Sequence, residues 1–463
     1  MKKILKICGW SLAFPVTLVV LFYVEENWRG ARTWNRTIAE LKTKGYPTTI
    51  AETIPSPIPD ENNIAAAPIF AELYDDDGNS VRNALLIKTK RLTPPEGVLP
   101  NMNKGILGNL TEQEARELLS EFDQEWTPLL AAVNDALKRT KCRWPIAYEK
   151  GFETDLAYLS SVFNIIKTFQ LRALSYLALG KSDKAADDII SAFMLAGVLE
   201  NNPRFIDSLM AATGRSMMLF VFWQGIVERQ WQKEDLLRLQ PVFSATNGLL
   251  SLKQGLLHEQ VLTIDIYEKD RIRLYAILHA KKWDLALLKL QPAGMTLSDK
   301  CLYVDTMLTY LRGINLEEGL VEVFPIREPE PDFSKHIPFF NHITKIGTQS
   351  IPSTLRNVAK GKVFLNQAII AAALERYRIH HGKLPETLTR LVPEYLDKIP
   401  NQVVINEPMI FSRISDQDYI LYSIGWNLRD DSGVVSDDPR GDKLDWVWAS
   451  KPELYRIVQA EGQ

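Results

Sequence analysis

Phe364-Leu-Asn-Gln-Ala-Ile-Ile-Ala-Ala-Ala-Leu-Glu-Arg-Tyr377 heads the last fifth of the chain. Ile370, Ala373, Leu374 and Tyr377 recur at helical spacing, which predicts a helix with one apolar face. Gly382 suits the left-handed residue that ends such a helix. Two strand-like runs follow, Met409–Arg413 and Tyr419–Ile424, and Ser415-Asp-Gln-Asp418 reads as the turn between them. An acidic loop comes next and closes on Asp445-Trp-Val-Trp448. Residues 336–463 are therefore read as a helix plus a small α+β domain.

Working backwards, residues 321–335 carry Pro325, Pro329 and Pro331 among acids and read as a linker. Residues 111–320 read as an α-helical body. Thr111-Glu-Gln-Glu114 is a capping box, opening a helix expected to run to about Lys138. Further helices are expected over Glu153–Leu179, from Ser182 onward, and over Arg204–Arg229, Lys233–Phe243, Leu249–Ala280, Leu297–Arg312 and Ile337–Gln349. Tyr176, Gly180, Ala185 and Ala192 have the spacing of one tetratricopeptide-like hairpin, without matching copies on either side. Met217-Met-Leu-Phe-Val-Phe-Trp223 is strongly apolar, but Arg215 and Glu228 bracket too short a run for a membrane span. It reads as the buried centre of the body. The fold class expected is mainly α, a helical bundle or irregular helix-hairpin body with a small α+β tail.

At the other end, Lys2, Lys3 and Lys6 precede an uncharged run, Ile7–Val24, and Glu25 and Glu26 end it. Residues 1–24 read as a transmembrane anchor with its N-terminus in the cytoplasm and the bulk of the chain outside. A cleaved signal peptide is the rival reading. Residues 25–110 read as a juxtamembrane helix, with Trp28 and Trp34 near the interface, and then a Pro/Gly-rich connector. Gly45 and Pro47 are expected to end that helix, and Ile54-Pro-Ser-Pro-Ile-Pro59 to be extended. Asp75-Asp-Asp-Gly-Asn79 reads as a solvated turn, and 81–110 as irregular.

The 463 residues are 46% hydrophobic and 24% charged, enough for a sizeable core. A net charge of -3 gives no support for nucleic-acid binding. Cys142 and Cys301 read as buried free thiols, with pairing as the alternative. His258-Glu259 begins like a zinc-protease helix, but residue 262 is Leu, so the second imidazole is missing. His380-His381 lies at a helix end, where the dipole favours imidazole. Nucleophile elbow, P-loop and dinucleotide turn are absent from the sequence. The acidic loop stands apart. Asp430, Asp431, Asp437, Asp438, Asp442 and Asp445 crowd together with Gly433 and Gly441 for sharp turns. Calcium tolerates irregular oxygen geometry and is the natural counter-ion, against the plain reading of a hydrated loop.

The tail resembles a known family. Leu374-Glu-Arg-Tyr-Arg-Ile-His-His-Gly-Lys-Leu-Pro-Glu-Thr-Leu388 is similar to the Y-x-x-x-x-G-x-(Y/L)-P-x-x-L stretch of type II secretion major pseudopilins, through Tyr377, Gly382, Pro385 and Leu388. Leu391-Val-Pro-Glu-Tyr-Leu-Asp-Lys-Ile-Pro400 resembles the approach to their sheet. Tyr419-Ile-Leu-Tyr-Ser-Ile-Gly-Trp-Asn427 resembles their strand end. The resemblance covers 362–448 and implies an α+β head with a calcium loop. The ligands it implies come from Asn427, Asp430, Asp431, Asp437, Asp438 and Asp445, with carbonyls near Leu421 or Ser423. It departs at the N-terminus: no prepilin peptidase site precedes the anchor, Phe14 stands five residues after Gly9, and Asn401-Gln-Val-Val-Ile-Asn406 replaces the usual Asp-Pro-aromatic stretch. A filament subunit is therefore not expected. The arrangement as a whole resembles membrane-anchored bacterial proteins that carry a Glu-Asn-Trp-Arg-Gly juxtamembrane run and this tail. The expected place is the bacterial inner membrane, single-pass, with the bulk periplasmic. The expected role is binding or scaffolding with envelope protein partners, near secretion or envelope assembly. The alternative is an enzyme acting on an envelope polymer, with carboxylates gathered in a cleft of the helical body.

Overall fold

In the computed structural model, the apolar run and the juxtamembrane stretch form one unbroken helix, α1 (Lys2–Thr43). The structure describes residues 2–71, 110–269, 290–323, 344, 347–436 and 444–458. The Asp75–Asn79 turn, nearly all of 81–110, the end of the expected Leu249–Ala280 helix, the linker from 324 and most of 337–349 lie outside them. Gly45 ends α1 with φ 71° and Pro47 follows. Along α1, Phe14, Val16, Leu18, Val20 and Val24 are all exposed. Further on, α1 packs alongside α9 (Ala293–Arg312). Gly294 lets the two helices touch, since a Cβ there would collide with the Glu26 carbonyl. The Lys300 ammonium then lies 3.9 Å from the centroid of the Trp34 ring.

The capping box forms in both directions. Glu114 N donates to Thr111 Oγ1 at 3.2 Å, and Thr111 N donates to Glu114 Oε2 at 2.8 Å. The single helix expected from there is two, α2 (Glu112–Glu125) and α3 (Thr127–Ala136). The break falls at Trp126 because Pro128 lacks the backbone donor that would continue the first helix. Next, α4 (Ala157–Ala178) and α5 (Ser182–Glu200) make the expected hairpin, turning at Gly180 with φ 68°. Ala185 and Ala192 are fully buried between them. α6 (Phe205–Val227) packs on both, and α7 (Lys233–Ser244) and α8 (Gly248–Lys269) complete the body. Among the described residues, α6 is the one helix long and apolar enough to cross a membrane, yet 56% of its apolar window is buried inside the protein. Met218 through Ile226 are core side chains, so the hydrophobicity of α6 is spent on packing.

The tail helix α10 (Ile351–His381) ends as its sequence predicts, with Gly382 left-handed and its N–H on the Arg378 carbonyl at 2.8 Å. Its middle is not apolar on one face only: Val363 through Glu375 are all buried, polar Asn366, Gln367 and Glu375 included. The reason is that this stretch of α10 lies among α6, α7 and the tail sheet.

A short antiparallel hairpin, β1 (Ile314–Asn315) with β2 (Leu320–Val321), follows α9. The main sheet is antiparallel, in the order β3 (Ile410–Arg413), β4 (Tyr419–Ser423), β6 (Trp446–Ala449). The Ser415–Asp418 turn joins the first two, with Asp418 N and Gln417 N both on Ser415 Oγ. β5 (Val434–Ser436) pairs with β7 (Arg456–Val458) in a separate parallel ribbon. Tyr419, Leu421, Trp446 and Trp448 join the main core, while Ile420, Tyr422 and Val447 face a second small cluster with Val435. One apolar cluster runs from Leu41 through the body to Trp448. Two buried donors tie the sheet to the helices: Trp223 Nε1 to the Ala449 carbonyl at 2.8 Å and Gln367 Nε2 to the Trp446 carbonyl at 2.7 Å.

Candidate functional site: an acidic loop and a long groove

The loop after β4 gathers four of the six residues singled out for a metal. Gly425 starts it, where a Cβ would collide with the Leu444 carbonyl, so its two ends can meet. Asp445 is buried beneath. Its Oδ2 accepts from Asp431 N at 3.1 Å and Gly433 N at 2.8 Å. Its Oδ1 is buried with no hydrogen-bond partner among the described residues. Burial pushes Asp445 up to about 6; those two N–H groups oppose this, and the Asp431 and Asp430 charges add to it. Asn427 Nδ2 donates to Asp431 Oδ2 at 2.7 Å, and Ser432 N donates to Asp430 Oδ1 at 2.8 Å. Tyr422 is pushed up to about 12 by burial and by the neighbouring Asp430. Leu428 and Ser432 take left-handed backbone, φ 57° and 60°, which turns the chain back over Asp445. Asp437 and Asp438 lie outside the described residues. Among the described residues no three His, Cys, Asp or Glu side chains stand close enough to share an ion. The loop as described is thus a partial donor set: Asn427, Asp430, Asp431 and Asp445, with one spare buried oxygen.

The other sequence candidates are structural. His258 is buried and its Nδ1 hydrogen bonds with Thr53 Oγ1 at 2.7 Å. Burial, with the Arg204 charge, pushes it down to about 4. His380 Nδ1 pairs with the Tyr395 hydroxyl at 2.7 Å, which packs the end of α10 against the 393–402 segment. Cys142 and Cys301 are buried free thiols, as expected. Asp188 is buried in an ion pair with Arg172, while its neighbour Asp187 is exposed and pairs with Arg238.

Sequence reasoning did not find the groove. It is about 1120 Å³ and runs between α7 with its following turn, the β1–β2 turn, one side of α10, and residues 393–402. Lys362, Asn366, Ile369 and Arg376 form its floor, spaced to lie along one face of α10. Asn366 Nδ2 holds the Asn401 carbonyl at 2.9 Å. Gln402 anchors the far wall, its Oε1 accepting from Ile424 N at 2.8 Å and Ser423 Oγ at 3.0 Å. Arg376 Nη1 donates to Gln240 Oε1 at 2.8 Å, and its guanidinium lies 5.3 Å from the Tyr395 ring centroid. The groove's acids, Glu317, Glu318, Glu394 and Asp397, are all exposed on its rim. Asn315 Oδ1 shapes one rim by accepting from Glu317 N and Glu318 N at 3.1 and 3.2 Å. A single-sequence signal for this groove does not exist, because four distant segments build it.

No family model, no curated protein and no solved structure matches this chain.

Proposed function

We propose that this is a membrane-anchored extracytoplasmic binding or scaffold protein that holds an extended ligand in the groove along α10. The groove carries the reading: its volume is at or above the usual range for ligand sites, and its floor mixes apolar and fixed polar groups. The exposed rim acids fit a binding surface better than an enzyme cleft, because catalysis calls for carboxylates held together and away from bulk water. Anchoring is supported by the lysines before Ile7 and by the exposed apolar side chains of α1. Since α1 continues into its contact with α9, an anchor at 1–24 would hold the body close to the inner membrane. A pseudopilin-like character of the tail is supported by the Gly382 helix end, the β3–β4 hairpin and the acidic loop that follows it. That likeness points to work beside secretion or envelope assembly.

A photocrosslinking residue in place of Glu317 tests the groove in living cells. A discrete adduct is expected there and not from the exposed Arg116 on α2. Filling the groove from its exposed wall with Ser244→Trp is expected to remove it. Equal labelling from both positions, or an adduct indifferent to Ser244→Trp, would count against a groove ligand.

The unpaired Asp445 Oδ1 favours a second reading, a calcium ion held by the acidic loop. Its ligands would be drawn from Asn427, Asp430, Asp431 and Asp445 with Asp437 and Asp438. Millimolar calcium is then expected to raise Tm by about 2 °C or more, and Asp445→Asn to abolish the shift. With Asp445 held at about 6, protons compete, so the calcium effect should fade as pH drops below that value. An identical Tm with calcium and with chelator would sink the idea.

A further inference from the structure

The cations on the groove floor differ in one respect. Arg376 is fixed by Gln240, the Tyr395 carbonyl and the Tyr395 ring. Lys362 is half-buried, and no hydrogen bond or ion pair among the described residues engages its ammonium. Beyond it lies a small pocket of about 40 Å³, walled by Leu219, Leu249, Val358 and Leu365. The same pocket is lined by Arg215 and Glu200, which form a bidentate ion pair, with Arg215 Nη2 to Glu200 Oε2 at 2.8 Å. That pair is neutral by itself, so the pocket carries one surplus positive charge, on Lys362. Burial and the Arg215 charge push the amine down, while Glu200 acts against them. A half-buried ammonium with no ion-pair partner among the described residues has donors to spare, and an anion at the pocket mouth would accept them.

The dimensions narrow the anion. A pocket of about 40 Å³ with aliphatic walls takes a small apolar side chain, far less than a sugar ring, and leaves an anion to meet Lys362 at its mouth. From Lys362 to Arg376 the helix advances about 21 Å, the length of about six extended residues. A terminal residue with its small side chain in the pocket and its carboxylate on Lys362, followed by a chain lying along the groove, is the arrangement that fits both. Resting on the groove being a ligand site, we propose that it binds the C-terminal carboxylate of an extended peptide, with Lys362 Nζ as the carboxylate ligand and the chain running toward Tyr395.

Competitive acylation of the full-length chain in detergent tests this. A limiting amine-acylating reagent is applied at pH 8, and modification of Lys362 and of the exposed Lys138 is measured by mass spectrometry. The competitors are an N-acetylated Leu-Ala-Gly-Ala peptide as free acid, the same peptide as C-terminal amide, and a galacturonate trimer. The free acid is expected to slow acylation of Lys362 by about fivefold at concentrations above its Kd, the amide by less than about twofold, and Lys138 not at all. Labelled free-acid peptide should also bind Lys362→Gln about tenfold more weakly than Lys138→Gln, a variant at an exposed lysine away from the groove. Equal protection by acid and amide overturns carboxylate recognition while leaving a groove ligand standing. Protection by the uronate alone overturns the peptide assignment. No protection by any competitor, together with no Glu317 adduct, overturns both the inference and the groove reading beneath it.

Discussion

Replacing Arg172 with methionine is expected to destabilise the folded chain by about 3–5 kcal/mol at pH 8, and by much less at pH 5. Arg172 on α4 meets Asp188 on α5 through two hydrogen bonds, Nε to Oδ2 at 2.9 Å and Nη2 to Oδ1 at 2.6 Å. Asp188 is only 2% exposed. Burial already pushes its carboxyl up from 3.8 to about 6, with Arg172 acting against the rise. Without Arg172 the carboxylate is left charged in the hairpin core. Methionine keeps the apolar bulk of the arginine stem and loses only the guanidinium, which lies 5.7 Å and 5.9 Å from the Phe169 and Tyr176 ring centroids, so the loss reports mainly the charge. The sign follows from the raised value. A carboxyl whose folded pKa lies above its unfolded one contributes stability that is complete below 3.8 and is lost as pH rises through about 6. Acid therefore relieves the variant by neutralising Asp188. Denaturant unfolding at pH 8 and pH 5 measures both values. A deficit of the same size at the two pH values would show that the effect is packing and not the stranded carboxylate.

Trp223→Ala is expected to cost about 3–5 kcal/mol and to weaken body and tail together. The Trp223 ring is buried on α6, 5.7 Å from the Phe220 ring and 6.4 Å from that of Tyr455. Its N–H satisfies the carbonyl of Ala449 on β6. Alanine opens a void and leaves that carbonyl unpaired. Because one apolar cluster joins the helices to the sheet, far-UV circular dichroism, which follows the helices, and amide hydrogen exchange of β4 and β6, which follows the sheet, should shift to the same lower midpoint. If sheet exchange moves while the helical signal stays, the tail is an independent folding unit and the shared core does not couple them.

The parts of the fold legible in the residues are those set within a few positions of one another. Thr111 and Glu114 cap each other across three residues. Gly180 and Gly382 mark left-handed turns that other side chains adopt at a cost. Ser415 and Asp418 make their own hairpin turn. Pro128 carries a local signal for the break at Trp126, although the apolar periodicity runs through it. The full burial of the middle of α10 was not legible, since Asn366, Gln367 and Glu375 look like a solvent face until Asn401, Trp446 and Arg229 arrive as their partners. The acidic loop was legible as a cluster, but not the burial of Asp445 under the chain with one oxygen unpaired.

By itself, then, the sequence determined a mainly helical chain, a charged-then-apolar N-terminus, a hairpin at Gly180 and a small sheet before an acidic loop. These follow from periodicity, capping and turn chemistry, which act locally. Only the tertiary structure decided that Lys362 stands half-buried with no ion-pair partner among the described residues, and that α10 serves as the groove's floor. Those properties depend on desolvation and on groups brought from α5, α6, α7 and residues 393–402, and no spacing along the chain encodes which distant segments will meet.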